Sequence, residues 1–395
     1  MTYDIERVRA AYPALAEGFA HFDGAGGTLV AAPVAEAVAA TMRTAVSNRG
    51  TAFEPARRSG EIVAAAREAV ADLVGGPAGG VVFGPSATAL TYQVARAVAA
   101  TWQPGDEVVV SRLDHDANVR PWIQAAAATG AAVRWAEVDH ATGELPAGQY
   151  TELIGARTKL VAVTASSNAI GTIPRVREIA DLAHAAGAQV YVDGVHATAH
   201  LSVDVVALGA DFYTTSAYKW AGPHIAAVVA DPATWEPLAP AKLIPSPDTV
   251  PDRFELGTLS FELLAGVTAA VDHLATLDPD ASGDRRARVV AGMTAVSAYE
   301  KMLLDRLLTG LAGMQTLAAP AERCPTVSFR VAGQSPAETA RALGDRGVCV
   351  SSGDYYAYEY FRGGGAVRAS ISHYNTAGEV DRLLSGVEHL FSAAG

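Results

Sequence analysis

Between about residues 60 and 230, short apolar runs alternate with longer amphipathic stretches. The apolar runs predict strands at Gly80–Phe83, Glu107–Ser111, Val133–Val138, Lys159–Thr164, Gln189–Asp193, Asp211–Thr215 and Ile225–Ala230. Helices are expected over Ala87–Thr101, Ala117–Thr129, Val176–Ala186 and part of 201–209. Continuous apolar strands separated by amphipathic helices indicate a mostly parallel sheet covered on both faces. Ligands on such sheets sit beyond the carboxyl ends of the strands, and Asp193 falls at one of those ends. A Pro-rich stretch, Pro237–Pro251, reads as a connecting loop. Beyond about 285 a long helical pattern leads into strands at Thr326–Val331, Val348–Ser351 and Ala366–Ser370 and a final helix from Ala377. That second block reads as a smaller α+β lobe.

Composition narrows the class. Half of the 395 residues are hydrophobic and 18% are charged, which suits a well-packed globule. A net charge of −12 and the lack of any basic run argue against nucleic acid as a partner. The alanine-rich stretch 124–132 is too short and broken to cross a membrane. The first residues lack the charged and apolar regions of a signal peptide, and the two cysteines, Cys324 and Cys349, are expected to be reduced thiols. The expectation is a cytoplasmic protein without membrane or metal.

The chemistry begins with a bias. Only four of the 30 basic residues are lysines, and one of them, Lys219, stands just past a strand end between Tyr218 and Trp220. Asp193 closes the preceding strand, and Ser216 and the Gly222-Pro223-His224 turn flank the lysine. A buried lysine amine with a lowered pKa forms a Schiff base with an aldehyde cofactor, here pyridoxal phosphate (PLP). Asp193 would keep the cofactor's pyridine nitrogen protonated, which makes the ring an electron sink. His196 could donate to the ring's phenolic oxygen. Ser86, Ala87 and Thr88 follow a strand end at a hydroxyl-rich helix start, the setting in which backbone N–H groups receive a phosphate. Ser216 could add a further hydroxyl.

Seven segments then carry a family resemblance. They are His21-Phe-Asp-Gly-Ala-Gly-Gly27, Asp114-His-Asp-Ala-Asn-Val119, Ser167-Asn-Ala-Ile-Gly-Thr172, Asp193–His196, Ser216–Lys219, Phe254-Glu-Leu-Gly-Thr258 and Val367-Arg-Ala-Ser-Ile-Ser-His-Tyr-Asn-Thr376. In that order they resemble the class V aminotransferases of the cysteine desulfurase/selenocysteine lyase group, over about His21 to Leu390. The resemblance implies a fold-type I PLP-transferase: an N-terminal segment 1–20, a large PLP-binding domain 21–270 with a mostly parallel seven-stranded sheet, and a small C-terminal α+β domain 271–395. It implies catalysis by Lys219, with Asn168 near both substrate and cofactor and Arg368 clamping a substrate α-carboxylate. Thr258 would reach the phosphate of the partner subunit, so a homodimer with shared sites is implied. By the same resemblance Arg49-Gly50 takes the place of an Arg-Gly pair near the dimer's active-site entrance.

Three departures matter. Such enzymes stack a histidine on the cofactor ring within a His-His-Ala-Asn segment, whereas here His115 is followed by Asp116, and both are expected among the cofactor-binding residues. Either His115 covers the ring or another group does. Tyr218 replaces the usual histidine before the lysine. The loop that carries a cysteine nucleophile in true desulfurases is Ser351–Ala357 here, and the cysteine's place falls on Tyr356, which faces the substrate side. The expectation is a C–S lyase acting by β-elimination or desulfurisation on cysteine or an S-substituted cysteine. The alternatives are an aminotransferase or an isopenicillin N epimerase-like enzyme, with a non-catalytic dimeric relative as the remote one.

Overall fold

The computed structural model describes residues 3–394. A two-residue strand, β1 (Ala20–His21), precedes the large sheet. The sheet comprises β2 (Val81–Gly84), β3 (Glu107–Ser111), β4 (Ala132–Ala136), β5 (Thr158–Thr164), β6 (Gln189–Asp193), β7 (Phe212–Ser216) and β8 (Ala226–Val229). Their spatial order is β2-β8-β7-β6-β5-β3-β4. β8 runs antiparallel to both neighbours, and the remaining pairings are parallel.

Alternation along these strands explains the two covered faces. Val108 and Val110 point into one core with Leu160, Ala162 and Tyr191, while Val109 points into the other with Val161, Val163, Val190 and Val192. Successive side chains on a strand face opposite sides, so strands apolar at every position must be buried on both. The helices Ala87–Ala99 and Arg120–Thr129 close the face that holds Trp122, and Glu54–Val74, Val176–Ala185 and Phe261–Leu274 close the other. Each fully buried large apolar side chain contributes about 1.5–3 kcal/mol. Truncating Trp122, wholly enclosed, would cost about 3–5 kcal/mol.

The smaller lobe holds β9 (Gln315–Thr316), β10 (Thr326–Arg330), β12 (Ser351–Gly353) and β13 (Ala366–Ser370), in the order β12-β13-β10-β9 and antiparallel. Between them β11 (Val348–Cys349) pairs in parallel with β1. The single strand expected at Val348–Ser351 is therefore divided between two sheets. Ala20 and Phe22 pack with Leu303, Val327 and Val348, so this stretch shares its core with the smaller lobe although residue 21 was the expected start of the large domain. The helix Arg285–Gly310 joins the lobes: Val289, Met293 and Val296 lie in the large core, and Leu303, Leu304 and Leu307 in the small one.

Other differences are local. The helix expected from Ala117 begins at Arg120, behind a tight turn at Asp116–Asn118 and with Pro121 in its first turn. Within 201–209 the helix is only Val205–Leu208, capped by Asp204 and ended by Gly209 in the left-handed region. Pro237–Pro251 is loop, as its prolines require. Helix Ala32–Arg43 was not among the expected elements.

Candidate active site

Two neighbouring strand ends build one corner of a cavity of about 550 Å³. β6 ends at Asp193, where the chain must pass close to β7: a Cβ on Gly194 would lie 1.9 Å from the Tyr213 ring. The turn lets the Val195 N–H donate to Asp193 Oδ1 at 2.9 Å. Burial pushes the Asp193 carboxyl up to about 6, with the Val195 N–H and Lys219 pulling the other way. β7 ends at Ser216, and Lys219 follows one short turn later. Burial holds its amine down to about 7; Arg368 adds to the fall, and Asp23 and Asp193 oppose it. Lys219 Nζ donates to the Ala25 carbonyl. An amine that loses its proton near neutrality can serve as nucleophile and as base.

Opposite this pair lies the start of helix Ala87–Ala99. Ser86 caps it, its hydroxyl accepting from the Ala89 N–H at 3.1 Å. The N–H groups of Ala87 and Thr88 are among the four that a helix leaves without an internal acceptor. They stand where the helix dipole is positive. Ser86, Ala87, Thr88 and Ser216 all line the cavity with Asp193 and Lys219.

His115 lines it as well. Its Nδ1 accepts from the Ala117 N–H at 3.0 Å, which leaves the ring proton on Nε2. Burial, with the charges of Lys219 and Arg368, holds the imidazole neutral, down to about 4. The ring lies 5.3 Å from that of Tyr356, tilted by 30°. Asp116 does not line the cavity, contrary to expectation: its carboxylate turns to Arg120 at 2.7 Å, within the same turn of chain. Tyr218 lines the cavity and stacks on His224 with centroids 4.8 Å apart. Fully enclosed His196 bonds Thr326 Oγ1 through Nε2 at 3.0 Å, and burial keeps it neutral.

The smaller lobe closes the far side. Arg368 projects from β13; Nη1 donates to the Asn168 carbonyl at 3.1 Å and Nη2 to Asp23 Oδ1 at 2.8 Å. Its guanidinium sits 4.3 Å from the Tyr355 ring centre, and Nε is left without a partner. Asn168 Nδ2 donates to the Tyr355 carbonyl at 2.9 Å, which ties the loop after β12 to the large lobe. Tyr355 and Tyr356 adopt positive φ, 54° and 58°, a left-handed conformation that costs about 1–2 kcal/mol per residue outside glycine. The loop's exit is fixed by Glu359, which pairs with Arg112 at 2.7 Å and with Arg120.

Neither cysteine lines this cavity: Cys324 is buried with its thiol pushed up to about 12, and Cys349 lies in β11 with its thiol also raised by burial. Thr258 is likewise absent from the lining and borders a separate cleft with Gly84, Tyr92, Arg96 and Leu256. Asp23, Ala25, Asp354 and Glu359 were given no role from sequence. Asp23 and Ala25 lie within the segment His21–Gly27; nothing in the pattern distinguishes Glu359 from a surface acid.

The donor set fits PLP. An enclosed carboxyl, a neutral-poised lysine amine and a helix start with free N–H groups and hydroxyls match its pyridine nitrogen, aldehyde and phosphate in chemistry. Residues 20–383 match the family described as aminotransferase class-V. The chain belongs to that family. An uncharacterized protein, MT3887, of Mycobacterium tuberculosis is 38% identical over 99% of this chain and 100% of its own length. A probable cysteine desulfurase of Mycolicibacterium paratuberculosis is 32% identical over 98% of this chain, which spans 58% of that relative. The crystal structure of the cysteine desulfurase CsdA from Escherichia coli superposes with a TM-score of 0.88 at 26% identity, over the full length of both chains. The chain is thus a cysteine desulfurase-like class V aminotransferase, a PLP-dependent enzyme of fold type I. No described helix is long and apolar enough to cross a membrane, and no metal-binding group of side chains occurs among the described residues.

Proposed function

We propose that this class V enzyme is a C–S lyase that takes cysteine or an S-substituted cysteine apart by β-elimination. The observation that carries the reading is the cavity lining: it joins Lys219, Asp193 and Arg368 and contains no cysteine. Without a thiol to accept sulfur, the sulfur leaves as a free thiol or sulfide.

Each residue has a part. Arg368 anchors the substrate carboxylate with its remaining N–H groups. Asn168 holds Tyr355 in place and so fixes the wall beside that anchor. Asp193 holds a proton at the pyridine nitrogen, with Ser86, Ala87, Thr88 and Ser216 holding the phosphate. Bound PLP supplies the electron sink for the pair left on Cα. Lys219 Nζ, whose pKa burial lowers to about 7, takes the Cα proton. The C–S bond then breaks with its electron pair on sulfur. Water releases the carbon skeleton as pyruvate and ammonia, so cysteine and water give pyruvate, ammonia and hydrogen sulfide. His115, against which the Tyr356 ring tilts, would cover the cofactor's ring. A homodimer in which Thr258 serves the partner's phosphate is part of the reading; its place in a second cleft beside the exposed Leu256 supports it.

The test is to incubate the enzyme with cysteine, selenocysteine and S-conjugates and to measure pyruvate, alanine and sulfide separately. Pyruvate equal to released thiol is expected. Alanine without pyruvate points to desulfurase chemistry, and turnover that requires a 2-oxo acid points to transamination. Either outcome overturns the elimination.

A further inference from the structure

One short turn, Asp23–Gly27, touches both cations of the cavity. Arg368 Nη2 donates to Asp23 Oδ1 at 2.8 Å, and Lys219 Nζ donates to the Ala25 carbonyl. The turn is closely constrained. The N–H groups of Gly26 and Gly27 both return to the Asp23 carbonyl, at 2.8 and 3.1 Å. A Cβ on Gly26 would stand 2.6 Å from Asp23 Oδ2, and one on Gly24 would meet Ser372 Oγ at 2.2 Å. Next to it the Ser370 N–H of β13 donates to the Phe22 carbonyl at 2.8 Å, so the turn is fastened to the strand that carries Arg368. The carboxylate's position against the guanidinium is thus set by backbone.

The charges around Arg368 are few. Its side chain is 4% exposed and that of Asp23 30%, so the guanidinium is desolvated while its partner keeps some water. Its other contacts, the Asn168 carbonyl and the Tyr355 ring, are uncharged. Asp23 is its one ion-pair partner among the described residues. Asp354 adds a further carboxylate to the cavity wall.

We propose that Asp23 is the resting counter-ion of Arg368 and thereby sets the charge of the substrate, admitting amino acids with one carboxylate and an uncharged side chain. The inference rests on the reading that Arg368 receives the substrate's α-carboxylate. An arriving carboxylate shares the guanidinium with Asp23, and the two anions repel each other across it. That repulsion moderates affinity for every amino acid. A second carboxylate on the side chain meets Asp354 and Asp23 together and is rejected.

Asp23→Asn tests this, because the amide keeps an oxygen for Nη2 and removes the charge. The holoenzyme is titrated with glycine and with L-aspartate while the cofactor's absorbance is followed, at low and at high salt. The variant is expected to bind glycine about three- to tenfold more tightly than the parent, the scale of one partly solvated charge pair. L-Aspartate should gain more than glycine, and both gains should narrow at high salt. Glycine affinity that is unchanged or weaker in the variant overturns the proposal, since a merely structural role predicts loss. Asp23→Ser keeps a smaller acceptor and must give the same sign, which guards against an Asn variant that folds poorly. Arg368→Ala separates the two readings: if it leaves glycine affinity unchanged, the carboxylate role of Arg368 fails and this inference falls with it, whereas weaker binding in that variant with no gain in Asp23→Asn overturns the role of Asp23 alone.

Discussion

The two halves of the cavity are held in different ways. On the large-lobe side, Asp193 and Lys219 follow the ends of adjacent parallel strands, and their positions derive from the sheet itself. On the small-lobe side, Arg368 stands on a strand, but Tyr355 and Tyr356 beside it sit in a loop held from outside by Asn168, Arg112 and Arg120. The first half is rigid because its backbone bonds are satisfied within secondary structure. The second is rigid only while particular side chains pair. A site of this kind keeps one chemistry on its fixed wall and varies its substrate on the other.

The largest effect separates the halves at once. Lys219→Ala should lower turnover by about 10⁴-fold or more, as expected when a proton-transferring nucleophile is lost. It should also abolish the borohydride-sensitive absorbance of the bound cofactor. Arg368→Ala should leave that absorbance intact and lower kcat/KM by about 100-fold, chiefly through KM, because a buried charge-assisted anchor is removed. If Arg368→Ala lowered kcat alone, the arginine would not be a ground-state anchor.

The same contrast explains what the sequence made legible. The seven strands of the large sheet follow from continuous apolar runs, and each expected strand lies within a few residues of an observed one. Lys219, Asp193, Ser216 and the segment Ser86–Thr88 could be read because strand ends and helix starts give them a place without any knowledge of distant contacts. Asp116 could not be placed that way: whether it faces the cofactor or Arg120 depends on a helix starting at Arg120 instead of Ala117. The division of Val348–Ser351 between two sheets depends on β1, more than 300 residues away in sequence. Asp23 sat in plain view within His21–Gly27, yet its pairing with Arg368 is a contact across 345 residues that no periodicity encodes.

A smaller effect tests whether the loop half depends on its outside ties. Glu359 receives Arg112 and Arg120 with its side chain 12% exposed. Glu359→Gln removes the carboxylate that Arg112 and Arg120 share, leaving Arg112 to Glu137 and Arg120 to Asp116, and loosens the segment that carries the left-handed tyrosines. KM should rise about three- to tenfold with kcat nearly unchanged, since Lys219 and Asp193 are untouched. A fall in kcat as large as the rise in KM would show that the loop enters the chemical step, and the two halves would no longer be separable.

The smallest effect concerns stability and belongs wholly to the fixed half. In the cofactor-free protein, the folded state releases the Lys219 proton near pH 7, whereas the unfolded chain keeps it to about 10.5. Between those values the unfolded chain binds more protons, so stability rises with pH across that window. Below pH 7 the full cost of burying the ammonium is present in the parent. Lys219→Met keeps the side chain's length, removes that cost and leaves the Ala25 carbonyl without its donor, a loss of about 1 kcal/mol. The net gain should be on the order of 1–2 kcal/mol at pH 6.5, a rise in Tm of a few degrees, and should shrink or vanish by pH 9.5. Melting curves of the two cofactor-free proteins at both pH values check this. A Tm difference that does not change with pH would mean that Lys219 is not held in a desolvated corner, and the contrast between a buried, strand-fixed half and a loop-fixed half would lose its electrostatic basis.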